Sequence, residues 1–193
     1  MKKIFLILPI ILLTTICLFF LLYILLEKNP NKPPSALLNK DLPKFSTKSL
    51  FSEYVHLSLD NIIRNVDVSS DQNPNLSSSS SEEKYTLINF FASWCAPCRA
   101  EHKFLFEIKK NHTNLFLLGI AHKDEPDDSK KYLKDEGNPY SFVGLDKDGK
   151  IGFDFGVFGL PETFIVNNKG KIIFKHTGPL TRNIIENEIE KLF

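Results

Sequence analysis

Apolar and polar residues fall into blocks along this chain, and the blocks differ in period. Residues 4–26 are one apolar run without a charge, with Lys2 and Lys3 before it. A run of that length suits a helix crossing a bilayer with some tilt. Pro9, Thr14 and Thr15 inside it are tolerated in such helices. The leading lysines favour a cytoplasmic N-terminus, an asymmetry weakened by Lys28 and Lys32 after the run. A cleaved signal peptide would have a shorter apolar core ending in an A-x-A-like site. No such site follows Leu26, so the preferred reading is an uncleaved anchor over 1–26. Residues 27–41 read as a linker, opening on the polar, proline-rich E-K-N-P-N-K-P-P-S.

Residues 42–193 suffice for one domain with a substantial core. It opens on L-P-K-F at 42–45, and 57–68 reads as irregular or as a short amphipathic piece. A serine-rich insert at about 69–84, with five consecutive serines at 77–81, has the composition of an exposed loop. Residues 87–91 are an apolar run that suits a buried strand. A helical pattern follows to 110, with Phe104, Leu105 and Ile108 as its apolar face. Residues 115–121 (L-F-L-L-G-I-A) predict a second buried strand, 127–136 a polar helix, 141–145 a short strand and 151–155 a helical turn. Residues 163–166 and 171–176 flank N-N-K-G, a hairpin signal with glycine placed for positive φ. Thr181 caps a last helix whose apolar face is Ile184, Ile185, Ile189 and Leu192. Strand, helix, strand implies a parallel pair joined by a right-handed crossover. The order β-α-β-α-β-β-α therefore predicts an α/β fold with helices on both faces of a mixed sheet.

Charge adds little: the formal net charge is +1, with no basic stripe to support nucleic-acid binding. The cysteines add more. There are three, Cys17 in the apolar run and Cys95 and Cys98 in W-C-A-P-C. A strand running into a helix that opens on C-x-x-C is the layout of a dithiol redox centre. Two cysteines three apart lie on one side of a helical turn, so their sulfurs can close a small ring. Cys95, at the helix N-terminus, would meet unpaired N–H groups and the positive end of the dipole. Those stabilise a thiolate, the attacking species. Cys95 is thus expected as an exposed, ionised nucleophile, with Cys98, more covered, resolving. Pro97 fits the first turn, which does not need its N–H, and Trp94 caps the site with a large flat surface. A zinc site would need four ligands, and no second C-x-x-C or H-x-x-x-H exists; no metal is expected. A structural disulfide stays open, although such bridges usually close longer loops. Cys17 reads as lipid-facing, since bulky Ile16 before it argues against lipidation. D-K-D-G at 146–149 resembles the start of a calcium loop but lacks the closing glutamate, so it reads as a turn. His102, His112, His122 and His176 show no ligand spacing and read as surface or helix-face residues.

Three stretches carry a family likeness: W-C-A-P-C-R-A-E-H at 94–102, G-L-D-K-D-G-K at 144–150 and G-V-F-G-L-P-E-T-F at 156–164. With them the chain resembles the thioredoxin superfamily, and more narrowly the membrane-anchored thiol:disulfide interchange proteins of cytochrome c maturation, the CcmG/DsbE group. The third stretch is the most specific, and the serine-rich insert fits the pattern poorly. The resemblance implies a thioredoxin-like fold with Cys95 and Cys98 as a redox-active disulfide. It implies a cis Pro161 packed opposite the dithiol, beside which an extended substrate peptide could pair like a strand. An ordinary turn proline is the alternative. Asn89 stands where typical thioredoxins carry a buried aspartate, a departure that agrees with the maturation group. Glu101 then becomes the acid that tunes the cysteines, although periodicity alone favours a solvated helix-face glutamate. Glu162 resembles an acid of the active-site rim; a solvent-exposed turn residue is the alternative. The implied protein sits in the inner membrane by a single pass, its catalytic domain on the periplasmic side. It reduces an apocytochrome c disulfide or that of a thiol chaperone, is re-reduced by a membrane donor of the DsbD or CcdA type, and needs no cofactor. A dithiol oxidase or isomerase of the same fold, or a non-enzymatic haem- or copper-binding module, remain alternatives.

Overall fold

The computed structural model describes residues 2–25, 37–58, 85–112 and 114–192. The chain divides into two units, Met1–Pro34 and Ser35–Phe193. The first contains helix α1, Lys2–Leu25. Its hydroxyls are satisfied within the helix: Thr14 Oγ1 donates to the Ile11 carbonyl at 2.9 Å and Thr15 Oγ1 to the Leu12 carbonyl at 2.8 Å. Its described side chains, 8–24, are exposed. Among the described residues no helix is long and apolar enough to cross a membrane. The run expected to span, 4–26, extends at both ends beyond the residues whose side chains are described, 8–24.

The second unit begins with two three-residue strands, β1 (Ser46–Lys48) and β2 (His56–Ser58), paired antiparallel. This corrects the expectation of an irregular or amphipathic start at 57, since Leu57 is a buried strand residue. Strands this short leave no readable period. The rest of that stretch, 59–68, and the serine-rich insert at 69–84 lie outside the described residues.

Then follow β3 (Tyr85–Phe91), α2 (Ala96–Asn111), β4 (Leu115–His122), α3 (Pro126–Asp135), β5 (Phe142–Asp146), α4 (Lys150–Asp154), β6 (Glu162–Val166) and β7 (Ile172–Thr177). The sheet runs β5-β4-β3-β6-β7, parallel from β3 through β5 and antiparallel from β3 through β7. Gly170 turns the β6–β7 hairpin at φ 74, where a side chain would be strained. The last helix is not one regular α-helix. α5 (Arg182–Ile184) is capped by Thr181 and passes into a π turn, Ile185–Ile189, and a 3₁₀ turn, Glu190–Leu192. Ile185 and Ile189 are still its buried residues.

Side chains of a strand alternate between faces, so the sheet separates two cores. Leu87, Phe91, Leu117, Ala121 and Ile165 join Leu105 and Ile108 of α2, Tyr132 and Leu133 of α3, and Ile185 and Ile189. Ile88, Phe90, Leu118, Ile120, Phe164 and Val166 join Leu42, Phe45, Leu57, Ile151 of α4 and Phe155. Each large apolar side chain fully buried stabilises the fold by roughly 1.5–3 kcal/mol. Gly119 in β4 makes one contact available. A Cβ there would fall 2.8 Å from the Tyr140 ring, so only glycine lets that ring stack on Phe91, 5.1 Å between centroids.

Candidate active site

Strand β3 delivers the chain through Ala92, Ser93 and Trp94 to Cys95, the N-cap of α2. Cys95 and Cys98 form a disulfide with Cα atoms 5.3 Å apart. The Cys98 backbone N–H points at Cys95 Sγ, 3.2 Å away. One of the four otherwise unpaired N–H groups of the helix start therefore serves the sulfur directly. Pro97 sits in the first turn, where it breaks no helical hydrogen bond. The expectation of an exposed Cys95 is corrected: only 3% of it is accessible. Its sulfur is bonded to Cys98 and packed into the α2-side core. Trp94, in contrast, is 64% exposed, and its indole N–H donates to the Lys123 carbonyl at 3.3 Å.

Glu101 lies one turn beyond Cys98 and is completely buried, not solvated on the helix face. One carboxylate oxygen accepts from Asn89 Nδ2 at 2.8 Å, the other from the Leu180 N–H at 2.7 Å. Periodicity could not reveal this, because Leu180 lies far along the chain. Tyr140 O–H donates to Asn89 Oδ1 at 2.7 Å, which orients the amide toward Glu101 and Thr163. Burial dominates the electrostatics. It pushes the Glu101 carboxyl up to about 7 despite the lowering by the Leu180 and Asn89 hydrogen bonds. Burial likewise raises the Tyr140 phenol well above its usual range and Tyr132 to about 12.

Glu162 is also buried rather than a solvent-exposed turn residue. Lys175 Nζ stands 3.1 Å from its Oε2, an ion pair held by charge without hydrogen-bond alignment. Oε1 accepts from the Phe158 N–H at 3.1 Å, and Lys175 Nζ donates to the Gly156 carbonyl at 3.1 Å. The pair thus pins the 156–160 loop and leaves Phe158 91% exposed at its tip. The Leu160–Pro161 bond is cis. Phe90 pairs with Glu162 across β3 and β6, so one further step brings Pro161 to Phe91, at the strand end that leads to Cys95.

Two histidines read as surface or helix-face residues are buried. His102 Nε2 donates to the Gly137 carbonyl at 3.0 Å, so Nδ1 accepts from the Tyr132 hydroxyl at 2.8 Å. His122 Nδ1 meets Asp146 at 2.6 Å. Burial acts to raise the Asp146 carboxyl, but hydrogen bonds from His122, Gly152 and Ile151 outweigh it and hold it low. The D-K-D-G turn is therefore closed by a buried aspartate. Among the described residues no three His, Cys, Asp or Glu side chains converge as metal ligands. The cleft of about 530 Å³ between Lys48–Tyr54, Pro126, Lys130 and Leu145 contains neither cysteine.

Sequence reasoning missed Asp124, which is buried two residues after the end of β4 and binds Ser93, and Arg99, which donates to the Ser93 carbonyl. In H-K-D-E-P the aspartate reads as a helix-start residue. A polar side chain just beyond the apolar run 115–121 was the available signal.

The chain is similar to known proteins. The redoxin family pattern matches residues 39–192. The thiol:disulfide interchange protein HelX of Rhodobacter capsulatus is 35% identical over 166 residues, 86% of this chain and 82% of HelX. The thiol:disulfide interchange protein DsbE of Escherichia coli is 32% identical over 165 residues, 86% of this chain and 78% of DsbE. Among solved structures, the thioredoxin domain of a thiol-disulfide oxidoreductase from Bacteroides vulgatus gives a TM-score of 0.60 at 19% identity. That likeness covers 80% of this chain and 96% of the domain, and speaks for the fold alone.

Proposed function

This chain belongs to the redoxin family and, within it, to the DsbE-type thiol:disulfide interchange proteins, and from that premise we propose that it reduces a disulfide of apocytochrome c, or of a thiol chaperone bound to it, during cytochrome c maturation. The Cys95–Cys98 disulfide at the N-cap of α2 is the observation that carries the reading. In the reduced protein, the Cys95 thiolate attacks one sulfur of the substrate disulfide. That S–S bond breaks, a mixed disulfide forms, and the other substrate sulfur leaves as a thiolate. Cys98, deprotonated, then attacks Cys95 Sγ and expels the second substrate sulfur. Two electrons pass to the substrate, and the protein is left with the disulfide seen here.

The surrounding residues have roles in this scheme. Trp94 and Pro97 shape the mouth of the site and the first helical turn. Glu101, with its carboxyl near neutrality, exchanges the proton that Cys98 must lose and regain. Pro161, next to Glu162, offers backbone beside Cys95 against which an extended substrate segment can lie. Residues 1–26 serve as an uncleaved inner-membrane anchor and 27–41 as a linker. Residues 42–193 form the catalytic domain on the periplasmic side. The uncharged run at 4–26 behind Lys2 and Lys3 supports this placement. A membrane carrier of the DsbD or CcdA type returns electrons to the disulfide.

Cys95→Ser tests the assignment. Disulfide reduction by the full chain is expected to fall to the uncatalysed rate; undiminished turnover would remove Cys95 as the nucleophile.

A further inference from the structure

Ser93 stands two residues before Cys95, and every polar group it owns is held. Its N–H donates to Asp124 Oδ2 at 2.7 Å and its hydroxyl to Asp124 Oδ1 at 2.8 Å. Its carbonyl accepts from Arg99 Nη2 at 2.9 Å. Asp124 is anchored in turn. Ser129 of α3 donates its hydroxyl at 2.6 Å and the Glu125 N–H bonds at 3.1 Å, so four dipoles engage one buried carboxylate. Arg99 is braced by Glu136 at 3.3 Å and lies over the Tyr132 ring, 4.7 Å from its centroid. A carboxylate buried at this cost, with only dipoles answering it, is strongly fixed in place.

The two halves of this grip come from different elements. Asp124 follows β4 and is tied to α3, whereas Arg99 belongs to the helix that Cys95 caps. Together they fix the peptide before Cys95 relative to the Cys98 N–H that serves its sulfur. The remaining charged neighbours are engaged elsewhere. Lys123 packs its side chain against Gly149, and Glu101 is taken by Asn89 and Leu180.

We propose that Asp124 and Arg99 are positioning residues that clamp Ser93 and so hold Cys95 where the helix start stabilises its thiolate. This rests on Cys95 as the attacking thiol. The clamp and a simple charge effect predict opposite signs. A carboxylate acting only through its charge would disfavour the thiolate, so removing it would lower the Cys95 pKa. A clamp keeps the sulfur aligned with the N–H, so removing it raises that pKa.

The test is iodoacetamide alkylation of the reduced full chain across pH, with Cys95 followed by peptide mass. Asp124→Asn cannot accept from all four donors. It is expected to move the Cys95 midpoint upward and to slow alkylation at neutral pH about fivefold, the weight of one ordinary hydrogen bond. A midpoint that stays, or moves down, overturns the clamp. Should Asp124→Asn fail to fold, Ser93→Ala carries the test: it removes one of the clamp's bonds and is expected to shift the midpoint the same way, and no shift overturns the proposal. When both variants fold, their effects should be non-additive, and strict additivity would overturn a shared clamp. Asp127→Asn, an exposed acid in the same segment, should leave the profile unchanged; an equal shift there would also overturn the proposal. The functional reading fails differently, through a wild-type Cys95 that titrates like an ordinary thiol near pH 8.5.

Discussion

Alternate residues of the same strands build two faces of one sheet with opposite chemistry. On the α4 side, Phe90 meets Phe155 and Phe164 edge to face, with centroids 5.2 and 5.8 Å apart, and Phe45 extends the cluster. On the α2 side, one residue away along β3 and at the same depth, Asn89 hydrogen-bonds to Glu101, Thr163 and Tyr140. The two buried glutamates sharpen the contrast. Glu162 is answered by the cation of Lys175 at 3.1 Å. Glu101 is answered only by dipoles, and burial pushes its carboxyl up to about 7. A cation fixes a buried charge in place. At Glu101 the two hydrogen bonds do not offset burial, so this carboxyl gains and loses a proton near neutral pH. One face therefore holds the fold, and the other keeps a proton within a helical turn of the sulfurs.

The largest expected effect lies on the dry face. Phe90→Ala should destabilise the domain by about 3–5 kcal/mol in urea denaturation, since a fully buried ring leaves a cavity. Below its new melting temperature the Cys95 alkylation profile should match the wild type. A displaced profile would break the division between the faces.

Glu101→Gln probes the other face. The Glu101 carboxyl rises from 4.5 to about 7 on folding, so between those pH values the folded chain binds the extra proton. Its contribution is then lost as pH rises from 4.5 to 7, on the order of 3 kcal/mol in total. Denaturation at pH 5 and pH 8 should show this slope in the wild type and not in Glu101→Gln. The variant should also lose any step near pH 7 in its disulfide-reduction rate. A slope that survives would move the buried proton to another group.

The smallest effect concerns the exposed rim. Phe158→Ala should leave stability within about 0.5 kcal/mol, as expected for a surface side chain. It should slow reduction of a peptide disulfide severalfold and leave a small-molecule disulfide unaffected. Equal slowing of both would place Phe158 outside substrate contact.

Much of the sheet was legible because its central strands are long and apolar. Residues 115–121 carry an unbroken hydrophobic run and 87–91 one interrupted only by Asn89, and N-N-K-G marks the hairpin through its glycine. The C-x-x-C at a strand-to-helix junction marked the dithiol by chemistry as well as by pattern. β1 and β2 were not legible, since three residues carry no period. Neither was the burial of Glu101, Glu162, His102 and His122. A charged residue on a helix or strand looks solvated until its partner is known, and those partners, the Leu180 N–H, Lys175, the Tyr132 hydroxyl and Asp146, are separated from them in sequence. Asp124 was hidden for the same reason: its partner Ser93 lies across the parallel β3–β4 crossover.

The most direct test of the central claim is a trapping measurement. A Cys98→Ala variant of the full chain, reduced and mixed with an oxidised peptide carrying a C-x-x-C-H haem-attachment segment, should accumulate one mixed disulfide, mapped by mass to Cys95. An absence of adduct, or an adduct mapped to the exposed Cys17, would contradict it.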